Sequence, residues 1–171
     1  MGLQNSSINI AGFAKPVFFA ALAILAVSTG ALTYQFSRYD IQTLHGERYR
    51  WQALEGKWVI VNYFAQWCAP CLRELPELNS LNQSLPEDVV LLGINFDPMT
   101  ETQARAMAEK HNISFDVIIA DNQTSMPMTT PQYLPATYII NPKGQVAIKL
   151  AGEQTEAGLL ETLNKLKLQT L

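Results

Sequence analysis

Hydrophobic and polar positions divide the chain into two regimes. From Pro16 to Ser37 no side chain is charged, and the stretch from Val17 to Val27 is almost wholly apolar. No polar face recurs there, which argues against a buried helix of a globular domain. Beyond residue 38, short β-branched runs alternate with longer stretches of helical periodicity. Residues 41–44 and 48–50 flank His45-Gly46 and predict a hairpin. Residues 51–54 predict a short helical turn ending at Gly56. Residues 57–64 are apolar on both faces, the pattern of a central strand. A leucine-rich helix is expected over 69–85, with Pro76 removing one internal hydrogen bond. Strands are expected over 89–96 and 115–120, and between them a helix over 100–111 with Thr100 as its cap. Strands over 136–141 and 145–150 are joined by the turn Asn141-Pro142-Lys143-Gly144. An amphipathic helix over 156–168 closes the chain. This alternation predicts an α/β fold with a mixed sheet that ends in an antiparallel hairpin.

The uncharged opening stretch bears on location. Its 22 residues would span about 33 Å as a helix, against a hydrocarbon core of about 30 Å. Lys15 is the only charged side chain before it and places the N-terminus inside. Residues 1–37 are therefore read as an uncleaved membrane anchor, with residues 38–171 as one domain outside the cytoplasm. A cleaved signal peptide is the competing reading, because the small residues from Ser28 to Ala31 would allow cleavage. Either reading places the domain where disulfides persist.

Composition adds little beyond exclusions. Residues 38–171 carry 11 basic and 15 acidic side chains, with no basic patch for nucleic acid. His45 and His111 are far apart in sequence and are read as surface residues. Met126 and Met128 could suggest Cu(I), which favours soft ligands, but methionines near loops are more often gap fillers.

The chemistry concentrates at Trp67-Cys68-Ala69-Pro70-Cys71, which holds the only two cysteines of the chain. A strand leading into C-x-x-C at a helix start is the arrangement of a reversible dithiol. Free N–H groups and the helix dipole there stabilise a thiolate on Cys68, and only the thiolate attacks disulfides. Two blander readings stand beside this one. Half of a zinc site would need two further ligands, and no second cysteine pair exists. A structural staple would close too small a loop to constrain the unfolded chain much.

These residues resemble the thioredoxin superfamily, and within it the membrane-anchored TlpA/ResA-type thiol-disulfide oxidoreductases, close to the cytochrome-c-maturation branch. The resemblance covers roughly residues 41–168. It rests on the segment from Val61 to Cys71, on Glu74 with Pro76, on Leu134-Pro135-Ala136-Thr137-Tyr138-Ile139-Ile140, and on Asn141-Pro142-Lys143-Gly144-Gln145. It implies a thioredoxin-like fold with an N-terminal hairpin, a central helix–strand insertion and an N-terminal transmembrane helix. It further implies that Cys68 is the nucleophile and Cys71 the resolving thiol, with no cofactor beyond that pair and no metal. Pro135 would be cis and, with Leu134, Trp67, Ala69 and Pro70, would meet the substrate. The expected partners are extracytoplasmic cysteine-containing proteins such as apocytochrome c, and a membrane thiol-disulfide electron donor. A non-turnover holder of unfolded clients and a copper-handling protein are the alternatives.

Two departures from the family pattern matter. Plain thioredoxins carry a buried Asp where this chain has Asn62, which cannot take a proton. Glu74, three residues past Cys71, stands where ResA-type proteins place a helping carboxylate. The family's helix before the cis-proline loop is also broken. Met126-Pro127-Met128-Thr129-Thr130-Pro131 cannot form a regular one.

Overall fold

Strand β3 (Trp58–Phe64) is the central strand of a five-stranded sheet, and all seven of its residues are buried. The computed structural model describes residues 19–30, 39–122 and 124–169. The chain divides into two compact units, Met1–Arg38 and Tyr39–Leu171. In the first, residues 19–30 are helical (α1) with exposed side chains. No helix among the described residues is long and apolar enough to cross a membrane. Residues 1–18 and 31–37 of the expected anchor lie outside the described residues.

The second unit opens with a two-stranded hairpin, β1 (Ile41–Gln42) and β2 (Arg48–Tyr49), then a single 3-10 turn at Trp51–Leu54. There follow β3, α2 (Ala69–Ser84), β4 (Val89–Asn95), α3 (Glu101–Lys110), β5 (Asp116–Ile118), β6 (Ala136–Ile140), β7 (Val146–Ala151) and α4 (Glu156–Gln169). The five-stranded sheet has the order β5-β4-β3-β6-β7. β4 lies parallel to both β3 and β5, whereas β6 is antiparallel to β3 and β7. Each parallel pair is joined through a helix, as parallel pairing requires.

Period-two alternation sorts β3 between two cores. Trp58, Ile60 and Phe64 join Leu75, Leu78 and Leu81 of α2, Ala104 and Met107 of α3, and Leu159 and Leu163 of α4. Val59, Val61 and Tyr63 join Leu92, Ile94, Tyr138 and Ile140, with Ile41 and Leu54. Asn62 belongs by parity to the helical side.

Most expected elements appear within a residue or two at each end. The strand expected over 115–120 is shorter, because the chain after Ile118 leaves β4 and its Ile119 N–H donates to the Gln42 carbonyl. α3 begins with a capping box, in which Thr100 and Gln103 satisfy each other's backbone N–H groups. Pro76 lies inside α2, yet the buried stripe runs on past it. The described residues between Asp121 and Gln132 contain no helix. Hydrogen bonds hold that segment instead. Trp51 Nε1 donates to the Ser125 carbonyl at 2.6 Å, Ser125 N to the Asp40 carbonyl at 2.7 Å, and Tyr138 Oη to the Thr129 carbonyl at 3.0 Å. Met126 and Met128 pack against the second core.

Candidate active site

Cys68 is the N-cap of α2, and extended backbone there turns the chain out of β3 and into the helix. Pro70 lies in the first turn, where a missing N–H costs nothing. Cys68 and Cys71 form a disulfide with Cα atoms 5.2 Å apart. The Cys71 N–H donates to Cys68 Sγ at 3.3 Å, and Leu72 N–H to the Cys68 carbonyl at 3.1 Å. In the reduced protein, a helix-terminal N–H aimed at Sγ favours the thiolate over the thiol. Cys71 is fully buried and Cys68 is 5 % exposed, so Cys68 is the more accessible sulfur.

The surroundings of the pair are divided. Trp67 is 66 % exposed rather than packed in the core. Its Nε1 donates to Asp97 Oδ2 at 2.7 Å, and its ring meets Phe96 edge-on at 6.3 Å. A groove of about 420 Å³ lies beside it, lined by Gln66, Asp97, Met99 and Gln103 among others. Ala69 is exposed and Pro70 half-buried. The Leu134–Pro135 peptide is cis. Pairing of Tyr63 with Ala136 carries Pro135 to the end of β3 from which the chain runs on to Cys68. Leu134 is half-buried, and Tyr133 before it is 81 % exposed.

Behind the disulfide stands Glu74. The buried face of α2 reads Cys71, Glu74, Leu75, Leu78 and Leu81, so a carboxylate occupies one position of an otherwise apolar stripe. Glu74 is 1 % exposed. Asn62 Nδ2 donates to its Oε1 at 2.7 Å, and the Gln154 backbone N–H donates to its Oε2 at 3.0 Å. Burial pushes the Glu74 carboxyl up to about 7; the bonds from Gln154 and Asn62 oppose that rise, and the nearby charge of Glu153 adds to it. Arg73, next in sequence, turns outward and forms a two-bond ion pair with Glu153. Thr137, directly opposite Asn62 on β6, accepts from Asn62 Nδ2 at 3.0 Å.

Sequence reasoning singled out Glu74 but not Thr137 or Gln154. The signal for Glu74 was its place three residues past Cys71, where the resemblance to ResA-type proteins expects a carboxylate. Nothing local marks Gln154, which contributes a main-chain group. The other sequence candidates sit apart from this centre. His45 Nδ1 lies 3.0 Å from Asp116 Oδ1 at an exposed position, and His111 is the C-cap of α3. No cluster of three or more His, Cys, Asp or Glu side chains suited to a metal occurs among the described residues.

A C-x-x-C pair at a helix start, on a five-stranded sheet flanked by helices, defines a thiol-disulfide oxidoreductase of thioredoxin-like fold. The chain belongs to the AhpC/TSA family, whose profile it matches over residues 32–149. It is 28 % identical over 128 residues to "Thioredoxin-like protein YneN" of Bacillus subtilis, covering 74 % of this chain and 75 % of that one. It is likewise 28 % identical over 129 residues to "Thiol-disulfide oxidoreductase ResA" of Bacillus cereus, covering 75 % and 74 %. The crystal structure of StoA from Bacillus subtilis superposes with a TM-score of 0.62 at 21 % identity, over 72 % of this chain and 93 % of that one. The exposed lipoprotein thioredoxin Etrx1 of Streptococcus pneumoniae reaches 0.65 at 19 % identity, over 75 % and 99 %. These two likenesses speak to the fold alone.

Proposed function

We propose that this protein is a membrane-tethered reductase of disulfides in extracytoplasmic proteins such as apocytochrome c, anchored in a bacterial cytoplasmic membrane by its N-terminal segment. The observation that carries the reading is the buried Glu74 carboxyl one helical turn behind a disulfide whose more accessible sulfur is that of Cys68. The Cys68 thiolate attacks one sulfur of a client disulfide, forming a mixed disulfide and releasing one client thiolate. Cys71 S–H then loses its proton, and the Cys71 thiolate attacks Cys68 Sγ. The second client thiolate leaves, and the two electrons of the dithiol have passed to the client. Asn62 has no group to take the Cys71 proton, whereas a carboxyl with a pKa of about 7 is half-ionised near neutral pH and suits that task. The oxidised pair is recharged by a membrane thiol-disulfide donor. No cofactor beyond the cysteines enters this scheme.

Reduction of insulin disulfides tests the reading. The dithiol form should precipitate insulin catalytically when supplied with a thiol reductant. Stoichiometric binding of a reduced client without turnover would instead mark a holder.

A further inference from the structure

Both oxygens of the Glu74 carboxyl face N–H donors, Asn62 Nδ2 on Oε1 and the Gln154 backbone on Oε2. Two donors suit the ionised form. Once Glu74 takes a proton, its new O–H needs an acceptor. The Gln154 N–H is main chain and cannot become one. Asn62 can, since rotating its amide by half a turn exchanges Nδ2 with Oδ1. As it stands, Asn62 Oδ1 is buried with no hydrogen-bond partner among the described residues. The other neighbour of Nδ2 is the Thr137 hydroxyl, 3.0 Å away, which can donate as readily as it accepts.

We propose that the Asn62 amide turns over whenever Glu74 gains or loses its proton, which makes Asn62 and Thr137 positioning residues for both halves of the proton transfer. With Glu74 ionised, Nδ2 donates to Glu74 Oε1 and to Thr137 Oγ1. With Glu74 protonated, Oδ1 accepts from the Glu74 O–H and from the Thr137 O–H. Each orientation strands one end of the amide, Oδ1 in the first and Nδ2 in the second, so the proton on Glu74 decides between them. The proton balance is simple. The Cys71 S–H bond breaks and a Glu74 O–H bond forms, with no electron transferred. In the oxidised protein, water supplies and receives the proton.

The charged and titratable groups around Glu74 are few. Glu153, from the turn after β7, is paired with Arg73 of α2. Glu77 of α2 accepts from the backbone N–H of Glu156 in α4. Cys71 does not titrate while it is in the disulfide. β3 and β6 contribute Asn62 and Thr137, neither of which ionises. The inference is independent of the direction of electron flow, so loss of the reductase reading would leave it standing.

The test is nuclear magnetic resonance of the oxidised full-length protein, carrying 13C-labelled glutamate carboxyls and 15N-labelled asparagine. Asn62 amide protons should show cross-relaxation with the Glu74 Hγ protons above the Glu74 midpoint and lose it below. The same cross-peaks on both sides of the midpoint would overturn the proposal. A second readout is Asn62→Leu, which removes a partner of both protonation states. The Glu74 midpoint should then rise by less than about one pH unit, because each form loses a partner and the bond to the carboxylate is the stronger of the two, whereas a fixed donor protects only the ionised form and its loss would raise the midpoint further. If Asn62→Leu does not fold, Asn62→Thr replaces it, because one hydroxyl can still donate or accept. That variant should also hold the midpoint within the same limit, and a larger rise would count against reversal.

Discussion

Asn62 and Glu74 meet across the interface between β3 and α2, with Nδ2 donating to Oε1 at 2.7 Å in a fully buried setting. A neutral amide thus occupies the strand position that faces the helix, and the ionisable side chain of the pair stands on the helix itself. One helical turn separates Glu74 from Cys71 on the same buried face of α2.

Glu74→Gln keeps the shape and removes the titration. Turnover with a small disulfide should slow, and the pH–rate profile should flatten near pH 7, where the wild-type carboxyl titrates. Equal kinetics across pH 5 to 9 would make Glu74 a bystander and leave solvent as the base.

The same variant should change stability with a definite sign. Folding raises the Glu74 pKa from 4.5 to about 7, so the folded state binds the proton more tightly than the unfolded state. The associated stability is complete below the unfolded value and is lost as pH rises through the folded one. It amounts to on the order of 3 kcal/mol across that window. Urea denaturation at pH 5 and pH 8 should show the wild type losing stability relative to Glu74→Gln at the higher pH. A difference that does not vary with pH would contradict the raised pKa.

Cys71→Ser should trap mixed disulfides through Cys68, because attack survives while resolution is lost. Cys68→Ser should trap few, since Cys71 is fully buried. Non-reducing electrophoresis after mixing with a disulfide-bonded client separates the two outcomes. Trapping chiefly in Cys68→Ser would reverse the roles.

Gly93 sits on β4 opposite Asn62 of β3. A Cβ there would lie 2.7 Å from Phe115 Cε2 and 3.1 Å from Phe64 Cε1. Both rings belong to the helical-side core, so neither can swing into solvent. Gly93→Ala should cost about 1–3 kcal/mol, as overpacking does in a filled core. A denaturation midpoint equal to that of the wild type would show that the two rings yield freely.

The proposed anchor has its own check. Mass spectrometry of protein extracted from membranes should recover the peptide containing Lys15 still joined to the chain. A mature N-terminus near Ala31 or Leu32 would replace the anchor with a cleaved leader and leave export intact.

Features that depend on neighbours along the chain are legible in the residue order alone. The near-continuous apolar run of Trp58–Phe64 marked a strand buried on both faces, and the strand–C-x-x-C–helix order placed Cys68 at a helix start. The prolines between Met126 and Pro131 excluded a helix there. The spacing of Cys71, Glu74, Leu75 and Leu78 is a helical stripe whatever it packs against. Features that depend on residues brought together from afar emerge only from the folded chain. Asn62 and Thr137 are 75 residues apart, and Glu74 and Gln154 are 80 apart. Only the antiparallel β3–β6 register and the turn after β7 bring them to one carboxyl. Its pKa follows from that enclosure, because burial disfavours the charge while two N–H donors restore part of it. Neither effect has a signature in local sequence. Gln154 acts through its backbone, and the polarity of Asn62 and Thr137 becomes informative only once both are known to be buried.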